Sequence, residues 1–206
     1  MALLHKATIN PTKLELLAAW LPTRAWFDAP AGAAPVRVAA ARFDDPAGAV
    51  GIEVMLVSAG DGPVWHVPLT YRDAPLDGAD AWLVGTTDHS VLGERWVYDA
   101  VGDPVYAAQV AAAIREAGHE AAEEFEVDGG REQRPSDLKL TGSGAAVPAH
   151  TVVTGVRDGE QPIIETDAGS LIVNRVPTVA VDPADTGVLT ACWSGQETPV
   201  VLVRLG

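Results

Sequence analysis

The chain has 206 residues, 48% hydrophobic and 20% charged, enough apolar material for a packed core and too much for disorder throughout. Its length fits one large domain or two small ones. Fourteen Lys and Arg against 28 Asp and Glu give a net charge of −14, carried by both halves. Nothing basic stands ready for nucleic-acid phosphates or anionic lipid, so neither is expected as a partner. Cys192 is the only cysteine, which excludes an intrachain disulfide and a cysteine zinc site. Within Thr190-Ala191-Cys192-Trp193 it reads as a buried, inert thiol on a strand. The N-terminus lacks the charged start and apolar run of a signal peptide, and no stretch reaches the ~20 apolar residues of a membrane span. A cytoplasmic location is expected.

Asn10-Pro11 predicts the start of a first helix, with Asn10 as cap. Leu14, Leu17, Ala18 and Leu21 continue it at helical spacing until Pro22. Arg24-Ala25-Trp26-Phe27 leads into an Ala/Gly/Pro loop over 28–35. Five strands follow with short connections: Val36–Phe43, Val50–Val57, Val64–Tyr71, Ala81–Thr87 and Arg95–Asp99. In the second, Ile52, Val54 and Leu56 alternate with Glu53, Met55 and Val57. That pattern predicts an antiparallel sheet covered on one face, with the first helix as cover. Asp103-Pro104 opens a second helix with the stripe Tyr106, Val110 and Ile114, and Gly118 is expected to supply its left-handed stop. Residues 120–134 are acidic and read as a solvated hairpin.

From Leu138 the texture is all β: Val147–Val156, Pro162–Glu165, Ser170–Asn174, Thr178–Val181, Val188–Trp193 and Pro199–Leu205, separated by Gly, Asp and Pro. The fold class is therefore α+β. An antiparallel sheet with two helices is expected over 1–127, to which the resemblance given below adds curvature, and a second antiparallel β-rich subdomain over 128–206.

Individual motifs carry little chemistry. None of His5, His66, His89, His119 and His150 forms a metalloprotease pair, and no metal site is expected. His66 sits mid-strand and reads as a hydrogen-bonded structural residue. Asp88-His89-Ser90 has the letters of a hydrolytic triad, but three adjacent residues cannot converge on one atom. Gly142-Ser143-Gly144 is glycine-rich, yet no helix or lysine follows to complete a phosphate loop. Trp65, Tyr71, Trp82, Trp96 and Tyr98 fall on predicted strands, where exposed rings would mark a binding face.

Several words in one order carry a resemblance. Lys13-Leu14-Glu15-Leu16-Leu17, Trp20-Leu21-Pro22, Arg24-x-Trp26-Phe27 and Gly51-Ile52-Glu53 come first. Val67-Pro68-Leu69-Thr70-Tyr71-Arg72, Gly85-Thr86-Thr87-Asp88-His89-Ser90-Val91-Leu92-Gly93 and Arg95-Trp96-Val97-Tyr98-Asp99 follow. Over residues 10–115 the chain resembles the N-terminal cap domain of actinobacterial maltokinases. The resemblance implies a cystatin-like cap, which in those enzymes precedes a kinase that phosphorylates maltose with ATP and feeds glycogen-type glucan synthesis. Such kinases use a His-x-Asp-x-x-x-x-Asn motif, and no histidine here has Asp two residues later. The chain also ends at Gly206, before a helical catalytic lobe. Residues 138–205 loosely resemble the small lobe that follows the cap. Gly142–Gly144 would then lie at the phosphate-covering loop, and Asn174 would replace the ATP lysine.

The expected function is accordingly a non-catalytic accessory or regulatory module in maltose, trehalose or glucan metabolism, with no catalytic residue, metal or cofactor. Two alternatives stand beside it. One is a carbohydrate-binding module for a maltose- or glucan-type ligand. The other is a subunit, self-associated or bound to a partner protein, that completes a kinase supplied by another chain. Any enzymatic activity would be related to ATP-dependent sugar phosphorylation. Candidate binding residues are Trp65, Arg72, Trp82, His89, Arg95, Trp96 and Tyr98, with Gly142, Ser143 and Gly144 as a degenerate phosphate loop.

Overall fold

A computed structural model of the chain describes residues 2–4, 7–127, 130–145, 152–178, 180–182 and 185–206. His5, His150 and residues 147–151 of the expected strand 147–156 lie outside the described residues. The first sheet is a curled antiparallel half-barrel. It consists of β2 (Ile9–Asn10), β3 (Pro35–Phe43), β4 (Gly51–Ala59), β5 (Trp65–His66), β6 (Leu69–Arg72), β7 (Leu83–His89) and β8 (Gly93–Asp99). Its strand order is β2-β7-β8-β6-β4-β3, with β5 paired to β4. Helix α1 (Lys13–Trp20) crosses one face, and α2 (Pro104–Arg115) follows β8.

Local chemistry explains most boundaries and moves a few. Asn10 does not cap α1. It ends β2, paired with Asp88 of β7, and a cis Asn10-Pro11 peptide follows. The cap is Thr12: its hydroxyl accepts from Glu15 N, and the Glu15 carboxylate accepts from Thr12 N. This reciprocal pair satisfies two otherwise orphaned donors. Asp103 caps α2 as expected, with Pro104 at the first position. The left-handed residue after α2 is Ala117 (φ 51°), not Gly118. Gly118 instead donates to Ala113 O at 2.8 Å, and a Cβ there would stand 3.2 Å from Ala113 Cα. The glycine answers a packing demand, and alanine takes the backbone strain.

The expected strand Val64–Tyr71 is split, because Pro68 has no N–H for a ladder. Trp82 lies not on a strand but in a 3-10 turn over Asp80–Trp82.

The second sheet contains β11 (Leu138–Gly142), β12 (Val153–Arg157), β13 (Ile163–Thr166), β14 (Gly169–Val173), β15 (Val188–Trp193) and β16 (Gln196–Leu205). All its pairings are antiparallel, in the order β11-β15-β16-β14-β13-β12. The run Thr178–Val181 supplies only an isolated bridge between Ala180 and Val200. Cys192 is half-exposed rather than buried. The acidic segment does form a hairpin, β9 (Glu123–Val127) with β10 (Gly130–Arg134). An additional strand, β1 (Ala2–Leu4), joins β9 in parallel.

The largest departure from expectation concerns β4, which is buried on both faces. Met55 and Val57 pack with Leu16, Leu17 and Trp20 of α1 and with Trp26 and Trp65. Ile52, Val54 and Leu56 pack with Tyr106, Val110 and Ile114 of α2 and with Leu138, Leu171, Val173, Leu189 and Leu202 of the second sheet. Helix α2 is thus the middle layer of one continuous core that joins both sheets. Continuity is tight at Gly142, where a Cβ would sit 1.9 Å from Ala113 O.

Candidate functional site

The sequence-derived candidates separate into three places, because neighbouring residues on a strand point to opposite faces. Register puts Arg72, Trp96, Thr86 and Tyr98 on one face of the half-barrel. Arg72 makes a bidentate ion pair with Asp103, both contacts at 2.7 Å, and so ties β6 to the cap of α2. The Tyr98 hydroxyl accepts from Leu76 N at 2.9 Å. Trp82 packs against Gly102, where a Cβ would lie 2.1 Å from its ring. These side chains hold the β8–α2 corner.

Trp65 lies elsewhere and is 1% exposed. It stacks at 4.6 Å on Phe27, beside Trp26 and Trp20. Trp65, Trp82, Trp96 and His89 therefore do not share one open face.

His89 and Arg95 share the other face of the half-barrel with Thr87 and Tyr71. They line a groove of about 430 Å³, open at the N-terminal end of α1. Its walls come from α1 (Lys13), β3 (Arg42), β6 (Tyr71, followed by Asp73) and the β7–β8 hairpin (Thr87, His89, Leu92, Arg95). A buried carboxylate stands behind two of these residues. Glu53 accepts from Lys13 Nζ at 2.7 and 2.8 Å and from the Tyr71 hydroxyl at 2.6 Å, with Arg42 opposite it across the β3–β4 ladder. Burial opposes its ionisation, but Lys13, Arg42 and Tyr71 overcome that cost and hold its pKa below the usual carboxylate value. Burial and the same carboxylate push the Tyr71 phenol well above its ordinary value.

His89 Nδ1 accepts from Val91 N at 3.2 Å and Leu92 N at 3.1 Å, so its ring orders the hairpin tip. Arg95 Nη2 donates to Leu92 O at 2.6 Å. Thr87 donates to Pro11 O at 2.6 Å and fixes the approach to α1. His89 and Arg95 are legible in the sequence, whereas Lys13, Arg42, Glu53 and Tyr71 converge only in the fold. The sequence signal for Glu53 is a lone charge inside an apolar strand.

At the glycine-rich segment, Gly142 N donates to Gly118 O and Ser143 N to Val188 O, each at 2.9 Å. The Ser143 hydroxyl accepts from Val188 N at 3.0 Å. β11 and β12 occupy opposite edges of the sheet, so Gly142–Gly144 does not lie between paired strands. Asn174 follows β14, where its amide donates to Val201 O and its side-chain oxygen accepts from Gln161.

Its neighbour Arg175, which the sequence reading passed over, is fully buried and forms a bidentate ion pair with buried Asp99. Its guanidinium also lies 4.3 Å from the Trp26 ring centre. Burial raises the Asp99 pKa against the pull of Arg175. His66, beside this pair, is pushed down to about 3 by burial and by Arg175, and its Nδ1 lies 3.3 Å from Asn174 O. No group of three or more His, Cys, Asp or Glu among the described residues is placed to hold a metal ion.

Fold and groove define an α+β protein whose half-barrel carries a small-molecule-sized groove and packs through α2 on a second sheet. Residues 20–103 match the family described as the maltokinase N-terminal cap domain, running from the end of α1 to the cap of α2. The match spans less than half of the chain, lies within the 10–115 resemblance and leaves the second sheet outside. No curated protein matches the chain. No described helix is long and apolar enough to cross a membrane.

Proposed function

We propose that the chain is a non-catalytic accessory module related to the maltokinase cap, acting in maltose, trehalose or α-glucan metabolism through a bound ligand or a partner protein. The observation that carries this reading is a cap match at residues 20–103 in a sequence with no His-x-Asp-x-x-x-x-Asn motif. Phosphoryl transfer relies on a positioned base, metal ligands and a cationic donor on the phosphates. Asn174 offers no charge, and its amide is engaged with Gln161 and Val201. The N–H groups of Gly142 and Ser143 are engaged as well. The test is incubation of pure protein with ATP, magnesium and maltose or glucosamine, reading ADP release. Background rates agree with the proposal, and sugar-dependent release above background overturns it.

A further inference from the structure

We propose that the groove at the N-terminal end of α1 binds the phosphoryl group of a phosphate monoester. This assignment stands apart from the accessory reading, because anion binding does not depend on whether the chain turns over ATP. Three fixed cations, Lys13, Arg42 and Arg95, converge on this one groove in a protein of net charge −14. Such a cluster of cations attracts an anionic ligand. Three carboxylates oppose it, and they are not equivalent: Glu123 acts on Arg42 through space alone. Glu53 is buried behind Lys13 and Tyr71 and already satisfied by them, while Asp73 lies on the wall.

Glu53 balances Lys13 through direct contact. The Arg42 guanidinium makes no hydrogen bond or ion pair among the described residues, and its influence on Glu53 acts through space. Arg95 commits only Nη2, to Leu92 O. Two guanidinium groups therefore keep donors for an incoming anion. Planar guanidinium forks match the tetrahedral oxygens of a phosphoryl group in a bidentate manner.

Position strengthens the assignment. Arg42 comes from β3 and Arg95 from β8, strands at separate places in the sheet, so a single anion between them would bridge the curl of the half-barrel. A volume of about 430 Å³ exceeds what a phosphoryl group needs and leaves room for an organic body against Tyr71 and Leu92.

The experiment is an NMR titration of 15N-labelled protein with inorganic phosphate, glycerol 3-phosphate and acetate at constant ionic strength, which holds screening fixed. The expected result is saturable shifts at the Thr87, His89 and Arg95 amides with both phosphates, and acetate at least about tenfold weaker. Arg42→Gln and Arg95→Gln should each weaken phosphate about tenfold or more. Arg157→Gln, on β12, should leave it unchanged. Should Arg42→Gln disturb the spectrum, the more peripheral Arg95→Gln decides. Absence of saturable shifts at the groove, equal affinity in wild type and Arg95→Gln, or acetate binding as tightly as phosphate overturns the proposal.

Discussion

Arg175→Met removes the cation from the most deeply buried ion pair among the described residues while keeping an unbranched apolar stem. Asp99 and Arg175 have side-chain exposures of 1% and 0%, so water cannot take over the lost contact. Breaking such a pair from one side costs about 3–5 kcal/mol, because the remaining charge has no partner. Stacking of Arg175 over Trp26 at 4.3 Å is lost as well. For a chain of this length, each kcal/mol moves the midpoint by about 2–4 °C, so the loss is about 6–20 °C.

The deficit should also depend on pH. Asp99 already has a raised pKa in the fold, and losing Arg175 raises it further. Folding then favours the protonated carboxyl. The cost is absent below the unfolded-state value and complete above the folded-state one, so the variant loses ground as pH rises. Thermal unfolding by circular dichroism at pH 5 and pH 8 measures this, with Asp99→Asn and the double variant completing a cycle. A coupling energy of about 2 kcal/mol or more is expected between the two sites. Additive single and double variants, or a deficit below about 1 kcal/mol at pH 8, would refute the reasoning.

Four further outcomes follow from named contacts. Ala117→Gly should stabilise the protein by about 0.5–1 kcal/mol in denaturant titration, since φ is 51° there; a loss of stability would contradict the strain argument. Gly142→Ala should destabilise by about 2 kcal/mol or more, because its Cβ would meet Ala113 O at 1.9 Å; a neutral result would show that β11 and α2 are less closely packed. His66, pushed down to about 3, should show no imidazole titration by NMR between pH 8 and pH 5, and a midpoint near 6.5 would show that its ring is solvated. Glu53 has a lowered pKa in the fold, so its ionised form contributes stability above the unfolded value that is lost as pH falls toward the folded one. Glu53→Gln should therefore flatten stability against pH in that acid range, and an unchanged profile would remove Glu53 from the pair with Lys13.

Local rules carried the sequence reading a long way. Asp103-Pro104 marked α2, and Tyr106, Val110 and Ile114 named its buried stripe. Alternation in Val50–Val57 identified a strand but mistook its environment. Met55 and Val57 belong to a second apolar face, and only the long-range arrival of the second sheet explains why both faces are covered. Trp65, Trp82 and Trp96 looked alike as strand aromatics, yet a one-residue change of parity and a 3-10 turn sent them to different places. His89 and Arg95 were visible as a polar hairpin tip. Arg42 and Lys13 were not, because their meeting depends on sheet curl and on where α1 begins. Arg175 escaped notice for a similar reason: its partner Asp99 is 76 residues away in sequence.

If α2 and the Arg175–Asp99 pair bind both sheets into one body, differential scanning calorimetry of the intact chain will record a single transition whose calorimetric and van't Hoff enthalpies agree. Two resolved transitions, with the half-barrel and the second sheet melting separately, would contradict a shared core.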